Sequence, residues 1–149
     1  MYSERLSLAA ALSKSAHAGQ ADKAGKPYYL HPLYVSERVS TEDEKIVALL
    51  HDVLEDTFTC PETICDLFGD RVLEAVIAMT RKKQETYEEF IQRVAKDPIA
   101  RAVKIEDIKH NMDLTRLPEI RKKDIRRNEK YLKALEYLLS QGEEASTDE

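Results

Sequence analysis

Hydrophobic positions recur every three to four residues along most of the chain, and the interruptions fall on glycine, proline and helix-capping residues. Leu6, Ala9, Ala10 and Ser13 keep helical spacing within a first helix from Ser3 to Ala18, which runs into Gly19, a natural residue for the left-handed position after a helix. The stretch from Gly19 to Leu30 has no hydrophobic period and carries Gly25, Pro27 and two tyrosines, so it reads as an ordered loop. Pro32 stands where a first helical turn tolerates proline and opens a short helix to about Ser40. Thr41 and Glu44 have the spacing of a capping box, and the pattern predicts one helix through Ile46–Asp56. Cys60, Pro61 and Glu62 open another, closed by Gly69, and Asp70 is placed to cap a helix reaching about Thr80. Thr86 and Glu89 repeat the capping-box spacing before Tyr87–Ala95; Asp97 followed by Pro98 caps a long helix through Met112, and a last helix is expected from Lys122 to Leu139. The expected fold is all-α: a compact single-domain bundle of about seven or eight helices over residues 1–140, with an acidic tail, 141–149, expected to be disordered.

Composition agrees with helices. Tryptophan is absent, four glycines and five prolines are too few for a turn-rich β-architecture, and 149 residues suit one domain with a real core. The net charge of −5, from 28 acidic against 23 basic residues, excludes a chain-wide positive field for nucleic acid. The basic runs Arg81–Lys83 and Arg121–Lys123 read as solvated helix ends. No leader-like segment opens the chain and no apolar run approaches the roughly 20 residues of a membrane span. A cytoplasmic protein without membrane partners is expected. Cys60 and Cys65 match neither a redox pair nor a zinc knuckle and read as reduced and structural.

Chemistry concentrates in two places. On a helix turning about 100° per residue, His51, Asp52, Glu55 and Asp56 share an arc of roughly 140°, opposite Ile46, Val47, Leu50, Val53 and Leu54. Three acids so close repel one another unless they are solvated or share a cation; a solvated helix end and a cation site both fit the pattern. The second place is the helix after Pro98, where Val103, Asp107, His110, Asn111 and Leu114 follow one face. A carboxylate on that inward stripe needs a partner, either a cation held by the first wedge or a lysine in a buried ion pair. His17 and His110 read as core residues.

The ordered set AHAGQADKAGKPYYLHPLYV, ALLHDVLEDT and VKIEDIKHNMDL resembles the HD-domain hydrolases of the Rel/SpoT alarmone type and their small stand-alone relatives, over about Leu6 to Leu117. The stretch from Thr80 to Val94 resembles the stand-alone proteins more closely than the long bifunctional enzymes, and a chain of this length is expected to lack a synthetase domain. The resemblance implies that His31, His51, Asp52 and Asp107 hold one divalent metal ion. Manganese is favoured by the family, while iron, zinc and cobalt are compatible with two imidazoles and two carboxylates. It implies that Glu55 and Asp56 are the catalytic acid pair, that Lys23 stands near substrate phosphates and Asn111 near the ribose.

The implied activity is removal of the 3′-diphosphate from guanosine tetra- or pentaphosphate by metal-activated water. Turnover of another nucleotide (a nucleoside monophosphate or a phosphorylated dinucleotide), or nucleotide binding without catalysis, are the alternatives. The family's Arg-Lys-Ser is here Asp22, Lys23 and Ala24. An aspartate cannot stack on a purine as the arginine does. The sequence leaves open whether the chain acts alone or as a homo-oligomer.

Overall fold

The computed structural model describes residues 3–57 and 59–147, without the side chains of residue 56 and residues 143–147. Helical segments follow one another as α1 (Glu4–Ala16), α2 (Leu30–Ser36), α3 (Glu42–Leu50), α4 (Val53–Asp56), α5 (Pro61–Phe68), α6 (Asp70–Ala78), α7 (Tyr87–Ala95), α8 (Pro98–Asn111) and α9 (Lys122–Thr147), with a 3-10 turn at Leu114–Arg116. Among the described residues there is no strand, only an isolated bridge between Ala21 and Pro27.

The helix starts are written in side chains. Ser3 accepts from the Leu6 amide at α1, and both expected capping boxes form, Thr41 with Glu44 at α3 and Thr86 with Glu89 at α7. Asp97 accepts from the amides of Ile99 and Ala100 at the head of α8. Gly69 ends α5 with a φ of 93°, a conformation that strains residues with a Cβ, and the same residue precedes α6, so Asp70 is the first helical residue rather than its cap.

α3 is the centre of the bundle. Ile46, Val47, Ala48, Leu49 and Leu50 are all fully buried, because α1, α2, α6 and α8 pack around it. A helix apolar on every side can only be an interior one. Each large aliphatic side chain removed from water there contributes about 1.5–3 kcal/mol. α8 packs on α2, α3, α6, α7 and α9, so the end of α3 and the last turns of α8 are held as one rigid frame.

Three boundaries differ from the pattern. α2 ends at Ser36, short of Ser40. The helix expected to run from Ile46 to Asp56 breaks at His51 and Asp52. The cause is local: the Ala48 carbonyl, which a continuing helix would offer to the Asp52 amide, instead takes the His51 ring Nδ1 at 2.5 Å. The last helix continues beyond Leu139 to Thr147, so the boundary expected at 140 is not a backbone boundary. No proline interrupts this stretch, and Gly142 lets Arg101 of α8 close on it: a Cβ there would stand 2.6 Å from Nη1.

Candidate metal centre

α2, α3 and α8 deliver one cluster. His31, in the first turn of α2, is 5% exposed, and His51, at the end of α3, is 2% exposed. Asp107 on α8 is 3% exposed, and Asp52 follows His51 in the turn before α4. One potential ligand atom from each of His31, His51 and Asp52 lies within 4.8 Å of the others. Asp107 adjoins them, its Oδ1 2.8 Å from His31 Nε2 and 3.5 Å from His51 Nε2.

The hydrogen bond to Ala48 assigns the His51 proton to Nδ1. A neutral His51 then turns the lone pair of Nε2 towards Asp52 Oδ2 at 3.1 Å and Asp107 Oδ1 at 3.5 Å. That nitrogen is buried and makes no hydrogen bond. Three electron-rich atoms facing one another out of water repel strongly unless a positive charge lies between them. A divalent cation fits this donor set, with nitrogen and oxygen ligands of the kind first-row metals accept.

The electrostatics point the same way. Burial pushes the Asp52 carboxyl up, but the charge that a protonated His51 carries, together with the Tyr28 hydroxyl, outweighs it and holds it at about 2. Burial also opposes the charge on Asp107, and Lys104, His51 and His31 together keep its carboxyl well below the ordinary range. Burial disfavours a charged His51, yet the two carboxylates raise it well above the usual histidine value. The two carboxylates thus favour a positive charge at His51 Nε2, met either by a proton there or, with His51 neutral, by a metal cation.

Supporting side chains fix the ligands. The Tyr28 hydroxyl donates to Asp52 Oδ2. Lys104 Nζ donates to Asp107 Oδ2 at 2.9 Å, which is the buried lysine–aspartate pair anticipated as one reading of Asp107. That bond leaves Oδ1 turned to the imidazoles. Asn111 also donates to Oδ1, at 3.1 Å. His17 is a core residue, its Nδ1 2.9 Å from Gln20 Oε1 and its ring against Tyr28. His110 is not: it is half-buried, its Nδ1 is 2.7 Å from His31 Nδ1, and its ring stacks on Tyr34. Burial, then Arg116 and His31, lower His110 to about 4.

A cleft of about 310 Å³ opens beside His31, lined by Asp22, Lys23, Tyr28, Asn111, Asp113, Arg116, Arg127 and Tyr131. A second hollow of about 210 Å³ lies against His31, His110 and Tyr34, and Arg116 borders both. Lys23 is more than half exposed, with Nζ 4.0 Å from Asp124 Oδ1. Glu55 is exposed on α4, and the side chain of Asp56 lies outside the described residues. Lys104, Arg116, Arg127 and Tyr131 were not picked out from the sequence. Lys104 could have been, since it stands three residues before Asp107 on the same helix; the others come from distant segments and carry no local signal.

The bundle, helical among the described residues, gathers two histidines and two aspartates at the junction of three helices, a donor set that a divalent metal fits. The HD domain family model matches residues 9–146, and the chain belongs to that family, whose members bind divalent metals. Over 118 residues it is 34% identical to a guanosine-3′,5′-bis(diphosphate) 3′-pyrophosphohydrolase of Aquifex aeolicus, covering 71% of this chain and 17% of that protein. It is 33% identical to a GTP pyrophosphokinase of Myxococcus xanthus (67% and 16% covered) and 32% identical to the bifunctional (p)ppGpp synthase/hydrolase SpoT of Escherichia coli K12 (73% and 18%). The chain thus spans less than a fifth of the length of these curated relatives. A solved structure of a metazoan ortholog of SpoT, described as hydrolysing ppGpp, superposes with a TM-score of 0.77 at 24% identity, covering 93% of this chain and 87% of that one, a match of fold. Among the described residues no helix is long and apolar enough to cross a membrane.

Proposed function

We propose that this chain is a manganese-dependent pyrophosphohydrolase that removes the 3′-diphosphate of guanosine tetra- or pentaphosphate. The observation that carries the reading is the buried His51 Nε2 aimed between two carboxylates, beside a cleft lined by Lys23, Arg116 and Arg127. A carboxylate cluster that calls for a cation, beside a cleft to which Lys23, Arg116 and Arg127 bring positive charge alongside Asp22 and Asp113, suits a substrate whose phosphates approach a metal. The names of the relatives supply the substrate class: the Aquifex protein and SpoT are both named for alarmone hydrolysis.

In this reading His31, His51, Asp52 and Asp107 hold the ion, with Lys104 on Asp107 Oδ2 and Tyr28 on Asp52 restricting how those carboxylates turn. When bound, a divalent ion lowers the pKa of a water and polarises a phosphoryl oxygen. Glu55 or Asp56 serves as the base that takes a proton from the attacking water. Lys23 binds substrate phosphate as a point charge, and Asn111, already tied to Asp107, presents its amide to the ribose.

Release of phosphate and pyrophosphate across a panel of nucleotides with added Mn²⁺ tests the proposal. Pyrophosphate from guanosine tetraphosphate in preference to all others is expected. Turnover confined to a nucleoside monophosphate or a phosphorylated dinucleotide would replace the substrate; binding without turnover would replace the reaction.

A further inference from the structure

His110 is held at one face and at one edge. One side of its ring stacks on Tyr34 at a centroid distance of 3.8 Å and 14° between planes, and the Arg38 guanidinium lies 3.3 Å from the Tyr34 ring centroid. Towards the interior, its plane is 5° from that of His31, and the two Nδ1 atoms are 2.7 Å apart. At that distance one nitrogen carries the proton and the other accepts it.

Two arrangements of neutral rings satisfy the contact between the two Nδ1 atoms. In one, His31 donates Nε2–H to Asp107 Oδ1, 2.8 Å away, and its Nδ1 accepts from His110. In the other, His31 donates Nδ1–H to His110 Nδ1, and His31 Nε2 presents a lone pair to Asp107 Oδ1 and to the cluster of His51 and Asp52, an arrangement that a cation between them stabilises. Only the second leaves His31 able to ligate a cation.

We propose that His110 is a positioning residue that accepts the His31 Nδ1 proton and thereby frees His31 Nε2 for a divalent cation. This rests on the reading of His31 as a ligand. Protons balance across the exchange. One passes from His110 Nδ1 to His31 Nδ1, one leaves His31 Nε2 for solvent, and one is taken up at His110 Nε2. Both rings remain neutral, and the pair exchanges no net proton with solvent. A packing role would need only a flat ring against Tyr34; the proposed role needs an acceptor atom at the position of Nδ1.

Two substitutions separate these requirements. His110→Phe keeps a flat ring and removes the acceptor; His110→Asn keeps an acceptor oxygen close to the position of Nδ1 and removes the stack. Titration calorimetry with Mn²⁺ alone, on proteins whose helicity is first matched by circular dichroism, should find His110→Phe weaker by about 10–100-fold and His110→Asn close to wild type. Imidazole ¹⁵N spectra of the Zn²⁺-loaded protein should place the His31 proton on Nδ1 in wild type. Equal Mn²⁺ affinity in wild type and His110→Phe would overturn the proposal alone, as would equal losses in the two folded variants or a His31 proton on Nε2. Wild-type protein that took up neither Mn²⁺ nor Zn²⁺ would overturn the metal reading and this proposal with it.

Discussion

Arg93 and His51 are each the hub of a polar cluster, and the two clusters follow different rules. Around Arg93 the donors meet acceptors. Nε and Nη2 reach the Glu85 carboxylate at 2.8 and 2.9 Å, Nη2 reaches the Thr80 carbonyl at 2.8 Å, and Nη1 reaches those of Ile77 and Ala78 at 3.3 and 3.2 Å. Those carbonyls close α6, where a cation complements the helix dipole. Around His51 the account is reversed: Nε2 faces two carboxylate oxygens and makes no hydrogen bond, in the fully buried interior. A satisfied cluster stabilises the fold by itself, whereas a cluster with surplus acceptors is incomplete until something positive arrives. Position alone would not distinguish them; the balance of donors and acceptors does.

The sharpest way to break this contrast is to remove an acceptor from the incomplete cluster. Asp107→Asn keeps the shape, discharges the oxygen that faces both imidazoles, and should lose Mn²⁺ uptake and turnover together. It also leaves the buried Lys104 without its anionic partner, a loss of about 3–5 kcal/mol by analogy with other broken buried pairs. Circular dichroism must therefore accompany the calorimetry. A folded variant with wild-type Mn²⁺ affinity would reduce Asp107 to the structural half of an ion pair. The next effect is smaller and confined to rate: Glu55→Gln should keep the ion and slow hydrolysis by about 10²-fold or more, the scale of a lost general base. Near-normal turnover would move that role away from Glu55.

The satisfied cluster should behave in the opposite manner, changing stability and sparing the metal. Its hydrogen bonds to Arg93 hold the Glu85 carboxyl at about 2, against an ordinary 4.5. A carboxylate depressed on folding stabilises above its unfolded value and loses that contribution as pH falls towards its folded one. The melting temperature of wild type should therefore exceed that of Glu85→Gln at neutral pH, and the gap should shrink steadily below pH 4.5. Mn²⁺ affinity at neutral pH should be the same in both. A gap that persisted at low pH would mean that Glu85 acts through packing and not through its charge.

Much of the scaffold was legible because its signals are local. The capping boxes at Thr41 and Thr86, the Asp97–Pro98 start and the Gly69 stop each depend on residues a few positions apart. The break at His51 was not legible, since it depends on a side chain choosing the Ala48 carbonyl over solvent or a ligand, and a periodic pattern continues straight through it. His110 was misjudged for a related reason. Its spacing places it on the Asp107 face, but only the arrival of α2 against α8 brings His31 and Tyr34 to its ring. Arg116 and Arg127 meet at the cleft from separate segments, a coincidence of tertiary structure that no spacing encodes.

The smallest expected effect lies at the rim, at Asp22, where the sequence departs from the Rel/SpoT pattern. Its carboxylate is not idle: Oδ1 accepts from the amides of Ala24 and Lys26, both at 2.9 Å, and its own amide donates to the Lys26 carbonyl at 2.8 Å. Gly25, with a φ of 83°, completes this tight loop. Replacement by arginine would therefore exchange two things at once, removing a negative charge from the cleft and the acceptor that shapes the loop. Asp22→Asn separates them, because the amide oxygen can still accept both backbone hydrogen bonds. If the rim receives phosphates, removing one half-exposed negative charge should be worth about 0.2–1 kcal/mol, a fall in KM for guanosine tetraphosphate of about 1.4- to 5-fold. kcat should change less, because the loop lies away from the reacting phosphorus. A KM that instead rose in Asp22→Asn, with the melting temperature unchanged, would assign the carboxylate a favourable contact with substrate, as to a base amino group, and would turn the choice of nucleotide away from the alarmone.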